Sequence, residues 1–323
     1  MRARDLVAPA AVGIALVLSA ALDLPRNVLF LIATVFVYGI AALGLAFIYG
    51  HGGMLSIGHG AIVGATAYAA IGASNAGIPL PATAVVCLIV GGITAFAFGL
   101  PTVRLHGHYF AITTFAAAET MRVTAENLPA IGATAGLTLL APRALGVAWL
   151  SNERNLLYVA AATYLVAAAG SAVLKGSVFG RQLLATRENE TLARAVGIPL
   201  TRTKLLASVA SGAVCGAAGL LFGLLNTYVA PDHVGASIGV TLILILIVGG
   251  TRHWLGPLTG AAVYVALPNL TAFSPLVDQI LIGLALIAAV LLVPEGIVPA
   301  VSDRVYPAIR RLALRGTGAG GRA

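Results

Sequence analysis

Charge is scarce in this sequence. Asp, Glu, Lys and Arg make up 9% of its 323 residues, against roughly 25% in a soluble domain. That deficit excludes a water-soluble globule. Lysine is nearly absent, with Lys175 and Lys204 alone. Neither closes a Gly-x4-Gly-Lys-Ser/Thr loop, so the chain carries no P-loop ATPase of its own. Cysteine is limited to Cys87 and Cys215, each inside an apolar run. There a thiol behaves as a small hydrophobe, and no disulfide framework is expected. No charged residue occupies the middle of an apolar run; Glu119 and Asp278 come nearest and sit close to run ends. Ion-coupled carriers keep buried charges as relays despite their cost, so a transporter without them draws its energy from elsewhere. A Ser/His/Asp set, an HExxH helix and carboxylates paired on one helical face are also missing, which weighs against a membrane-embedded enzyme.

What the chain does contain is apolar. Hydrophobic residues make up 59% and the mean hydropathy is +0.98, the profile of an all-α integral membrane protein. A helix needs about 20 apolar residues to cross the hydrocarbon core. Segments 6–22, 28–49, 79–100, 156–174, 205–228 and 276–293 qualify, and 55–74, 108–121, 237–250 and 256–270 are shorter or rich in glycine. About ten spans are expected. Residues 1–22 combine basic residues, an apolar stretch and small residues near Ser19 to Ala21. That pattern fits a cleaved signal peptide or an uncleaved first span.

The net charge of +8 is explained by topology rather than by nucleic acid, because apolar runs separate the basic residues and no aromatics interleave them. With both termini in the cytoplasm, ten alternating spans put 15 of the 19 Lys and Arg residues on that side, as the positive-inside rule requires. Arg26, Arg122, Arg143 and Arg154 are the exceptions. The longest external segment, Arg122 to Asn155, carries mixed charge at Glu126, Arg143, Glu153 and Arg154. It is a solvated loop or a receiving surface for a charged partner.

Six of the basic residues fall between Lys175 and Lys204. In this loop Thr186 can cap a helix running to about Val196, Glu190 and Arg194 can pair four residues apart, and Gly197 with Pro199 supplies a stop. Leu192, Ala193 and Val196 form an apolar stripe, ringed by Arg187, Glu188, Glu190 and Arg194. A short amphipathic helix between two spans is suited to a groove on another protein; an interfacial loop helix is the plainer alternative.

Glycines punctuate the short spans: Gly52, Gly53, Gly58, Gly60 and Gly64, then Gly249, Gly250, Gly256 and Gly260. They permit broken helices whose backbone lines a pathway. The spacing of Gly60 with Gly64, Gly212 with Gly216 and Gly256 with Gly260 equally permits close helix packing. His106 and His108 flank one glycine with no Cys or carboxylate nearby, which falls short of a metal site. Tyr109 and Phe110 suit interfacial anchors.

The loop sequence GRQLLATRENETLARAVGI with TRTKLLA following it, the segment Ser56-Ile57-Gly58-His59-Gly60-Ala61 with Gly64 and Ala67-Tyr68, and the run from Arg104 to Thr114 ending at Glu119 occur in this order. Together they resemble permease subunits of ABC importers of the branched-chain amino acid type, over about residues 28–298. Two segments depart from the family pattern: Gly249-Gly250-Thr251-Arg252 before Gly256-Pro257, and Gly132-Ala133-Thr134-Ala135-Gly136-Leu137 outside.

The resemblance implies an N-terminal segment and first span over 1–27, a permease domain over 28–298 and a basic cytoplasmic tail over 299–323. It implies that Arg187, Glu188, Glu190, Leu192, Ala193, Arg194, Val196 and Gly197 couple to an ATPase. It also marks Ser56, Gly58, His59, Gly60, Tyr109, Thr113 and Thr114 as candidates for a substrate pathway. The expected setting is a bacterial inner membrane. Expected partners are cytoplasmic ABC ATPases, a second related permease, an external substrate-binding protein and membrane lipid, with no nucleic acid. No cofactor, metal or catalytic residue is expected in this chain, ATP and Mg being used by the partner. The expected solutes are branched-chain amino acids, with urea, short amides or aromatic acids as alternatives. A stand-alone secondary transporter or channel is the rival class.

Overall fold

The structure, a computed structural model, describes residues 25–103, 105, 107–140, 152–251 and 253–271, with 280, 283–284 and 296–298. The expected span at 6–22, most of that at 276–293, the basic tail, Arg104 and His106 lie outside the described residues.

Apolar runs become long helices: α1 (Arg26–Gly52), α2 (His59–Asn75), α3 (Leu80–Thr102), α4 (His108–Glu126) and α5 (Glu153–Gly176). The loop 175–204 holds α6 (Val178–Glu188) and α7 (Glu190–Ala195), and α8 (Leu200–Asn226), α9 (Ala236–Gly249) and α10 (Gly256–Thr271) follow. Among the described residues, α1, α3, α5 and α8 are long and apolar enough to cross a membrane. At 1.5 Å per residue, α9 spans only about 21 Å and α2 about 25 Å, short of the roughly 30 Å core.

The core lies where α8 runs against α1, α2 and α3. Small residues set these distances. A Cβ at Gly212 or Gly216 would strike the backbone at Gly91 and Cys87, and one at Gly60 would strike Gly239 of α9. The three glycine pairs therefore serve close packing here: Gly256 and Gly260 meet Gly249 in the same way. Tyr164 of α5 packs edge-on against Phe36 of α1 at 6.0 Å, and its hydroxyl donates to the carbonyl of Trp254.

The chain is not wholly helical. A two-residue antiparallel ribbon pairs Leu137 with Val229 and Thr138 with Tyr228. Asn75 holds the same corner, donating to Thr138 O and accepting from Leu140 N, both at 2.9 Å. A ribbon this short has no hydropathy signature, so periodicity could not reveal it. These contacts bring all three segments to one end of the bundle. At the other end of α1, Arg187 donates to the carbonyl of Gly50, beside Thr251.

Candidate functional site

One candidate site lies where α2 begins. α1 ends at Gly52, with Gly53 in the left-handed conformation at φ 67° and its N–H bonded to Ile48 and Tyr49 carbonyls. Glycine takes that conformation without the Cβ penalty. The chain then runs back into the bundle without helix until His59. Met54, Ser56 and Gly58 of this stretch are buried. Irregular backbone at such depth is kept only where protein or a cavity surrounds it.

His59 Nε2 lies 2.7 Å from Ser211 Oγ, and Ser211 donates its hydroxyl to Gly44 O at 2.6 Å. Since a serine has one proton, this geometry assigns the second one to His59: Nε2 carries the N–H and Nδ1 is left as an acceptor. Among the described residues, His59 Nδ1 is buried with no hydrogen-bond partner. Ser211 is the twelfth residue of the 27-residue α8, which places the cluster near the middle of that helix. Thr114 of α4 accepts from Ile57 N at 3.2 Å and donates to Ala111 O at 3.0 Å. Ser56, His59, Thr114 and Ser208 line a small cavity of about 10 Å³, closed by Phe98 and Phe110, room for about one water.

Of the expected pathway residues, Ser56, Gly58, His59, Gly60 and Thr114 gather here. Gly58 fits under Phe98 and Thr114 O. Tyr109 stands apart at 71% exposure, and the hydroxyl of Thr113 turns back to Tyr109 O at 2.9 Å. Sequence reading missed Ser208 and Ser211. Their signal was their spacing, three apart on the α8 face that also carries Lys204 and Cys215, all four buried.

The second candidate site is the loop 175–204, and it differs from the single capped helix expected. Thr186 is no cap: it lies within α6, where its hydroxyl donates to Leu183 O at 2.6 Å. Ser177 starts α6 instead, accepting from Gly180 N at 3.2 Å. Asn189 is extended at φ −158° and caps α7 by accepting from Leu192 N at 2.9 Å. Asparagine ranks with Asp and Ser as an N-cap, so it divides the helix where hydropathy alone sees one. The stop at Gly197 is as expected: Gly197 N–H bonds Arg194 O and Ile198 N–H bonds Ala193 O, with Gly197 at φ 85°, a Schellman closure.

Glu190, expected to pair with Arg194, forms an ion pair with Lys204 of α8. Arg187 is held to α1 through Gly50 O, and Glu188 is exposed. The apolar stripe is split. Ala193 faces the protein at 2% exposure, while Leu192 and Val196 are 62% and 69% exposed. Beneath α6 and α7 lies a pocket of about 270 Å³ bounded by Met54, Phe110, Arg187, Glu188, Glu190 and Lys204.

Apolar helices, a short helix beginning in the interior and an amphipathic loop between spans define a multi-pass membrane protein of the permease kind. The chain belongs to the family described as branched-chain amino acid transport system permease component, whose model matches residues 27–290. The high-affinity branched-chain amino acid transport system permease protein LivM of Salmonella typhimurium is 25% identical over 289 residues, covering 81% of this chain and 68% of that one. LivM of Escherichia coli is 25% identical over 293 residues with the same coverage. The L-arabinose transport system permease protein AraH of Escherichia coli is 32% identical over 130 residues, 37% of this chain and 39% of that one. No solved structure matches the chain.

Proposed function

We propose that this chain is the membrane-spanning subunit of an ATP-driven importer that moves branched-chain amino acids, or a solute of similar size, into the cytoplasm. The observation that carries this is the α6–α7 loop, fastened to the bundle by Arg187 and Glu190 while Leu192 and Val196 stand free. A helix fixed on one face and apolar on the other is suited to a groove on a motor subunit and to passing on its movement. Arg187, Glu188, Glu190, Leu192, Ala193, Arg194, Val196 and Gly197 form this coupling segment. Ser56, Gly58, His59, Gly60 and Thr114 belong to the pathway; Tyr109 and Thr113 flank it.

The working unit contains cytoplasmic ABC ATPases, a second permease and an external binding protein, in a bacterial inner membrane, with about ten spans and both termini inside. ATP and Mg act in the partner. His59 Nδ1, an acceptor without a partner among the described residues, suits a solute bearing N–H donors, which amino acids, urea and short amides share. The partial similarity to an arabinose permease favours a second reading in which the same scaffold carries a different small solute.

The test is uptake of labelled leucine into proteoliposomes by this chain reconstituted with a second permease of the same family, an ABC ATPase and a binding protein from the same organism. Uptake should require ATP and should fall at least tenfold in Leu192→Asp combined with Val196→Asp, with loss of ATPase from the purified complex. Uptake by the chain alone, without ATPase, would overturn the importer and leave the stand-alone carrier.

A further inference from the structure

Lys204 is buried. Its side chain is 4% exposed, against 26% for its partner Glu190. Burying an ammonium is costly and is tolerated only beside an anion, so α7 is held to α8 by more than the connecting residues 196–199. Lys204 also begins a buried polar face of α8 that continues through Ser208 to Ser211. Ser208 donates to Lys204 O at 3.0 Å, and Ser208 lines the small cavity beside His59. Three residues further along the same face, Ser211 bonds both His59 of α2 and Gly44 of α1. From Lys204 to Ser211 is about 10 Å along the helix axis. One face of a single helix therefore runs from the coupling segment to the polar cluster near the middle of α8.

We propose that Lys204 is the positioning residue that makes α8 a rigid strut between the motor-facing helix and the polar cluster. This rests on the importer reading. When the motor draws on α7, the Glu190–Lys204 ion pair moves α8, and with it Ser208 and Ser211 against His59. A slack joint at Lys204 leaves the motor attached and turning over with nothing transmitted to the pathway. Spatial continuity alone does not establish coupling, so the test must separate coupling from attachment and from stability.

Lys204→Met keeps the length and packing of the side chain, and Glu190, 26% exposed at the edge of the pocket of about 270 Å³, keeps access to water. In proteoliposomes containing the complete complex, three quantities are read for wild type, Lys204→Met and Lys204→Arg: ATPase co-purified, ATP hydrolysed, and leucine taken up per ATP. The expected result is wild-type co-purification for all three, uptake per ATP reduced at least tenfold in Lys204→Met, and recovery to within about threefold in Lys204→Arg. Unchanged uptake per ATP in Lys204→Met would overturn the strut. Loss of ATPase from Lys204→Met would also overturn it, because Lys204 would then serve attachment. Absence of ATP-dependent uptake in wild type would instead overturn the importer reading, and the strut with it. If Lys204→Met does not yield a monodisperse complex, Lys204→Gln is read against the same criteria.

Discussion

His59 of α2 and Ser211 of α8 stand 152 residues apart in the chain and 2.7 Å apart in space, at a point where Ser211 also bonds Gly44 of α1. One hydroxyl thus ties three helices together in the interior.

Replacing Ser211 with Ala leaves the His59 N–H buried without its partner, while Gly44 O keeps only its helical bond within α1. An unmet buried polar group costs about 1–3 kcal/mol, so the variant should unfold at a clearly lower temperature in detergent. Solute uptake should fall further than the stability loss explains, because His59 is released to rotate. His59→Gln can present an N–H toward Ser211 and should retain more stability than His59→Ala. Equal melting temperatures for the two His59 variants would show that the bond to Ser211 contributes nothing.

The glycine contacts predict a graded set of packing variants. Gly212→Val would drive side-chain atoms into Gly91 and Ala95 of α3, and overpacking of this kind costs about 1–3 kcal/mol or more. Loss of folded protein on size-exclusion chromatography is expected. A Cβ at Gly170 in α5 would meet none of the described residues within 4 Å. There an Ala should be neutral or stabilising by up to about 1 kcal/mol, since glycine is the poorer helix former.

His233 makes the turn Pro231–Val234 sensitive to acid. Its Nδ1 accepts from Ala230 N at 3.0 Å, and its ring meets Phe222 edge-on at 5.2 Å. Burial holds its pKa below the ordinary histidine value of 6.5, with Asp232 opposing. The folded state thus favours neutral His233. Its contribution is present above pH 6.5 and is lost as pH falls through the lower folded value. The melting temperature should drop between pH 7.5 and pH 5, and less so in His233→Asn, whose amide oxygen can replace Nδ1 without titrating. Identical slopes in the two proteins would remove His233 from this role.

Glu119 reaches from α4 to accept the N–H of Ala236, the first residue of α9, at 2.9 Å, and pairs with Arg122 at 2.7 Å. A carboxylate at a helix start satisfies an orphan donor and meets the favourable end of the dipole. Glu119→Ala should therefore destabilise by about 1 kcal/mol, read as faster amide exchange at residues 236–239. Glu119→Gln, which keeps an acceptor, should exchange at an intermediate rate.

Hydropathy and charge are local properties, and what depends on them was legible in the amino-acid order. The apolar runs at 28–49, 79–100, 156–174 and 205–228 became α1, α3, α5 and α8 because hydrogen-bonding its own backbone is what a chain must do in hydrocarbon. The stop at Gly197 and Pro199 was equally legible, since backbone conformation there depends on glycine itself. Three ordered motifs were enough to mark the family. The partners of single side chains were not legible. Glu190 had a cation within reach on its own helix, yet the fold supplied Lys204, fourteen residues on and buried. Asn189, rather than Thr186, became the cap because helix ends are chosen by what the neighbouring turns leave unsatisfied. Leu192 and Ala193, adjacent in sequence, went to opposite surroundings because only packing against α8 decides which face of a six-residue helix is inside. The meeting of His59 with Ser211 belongs to the tertiary structure alone: it needs α1, α2 and α8 at glycine-set distances, and no local pattern records a distance between helices.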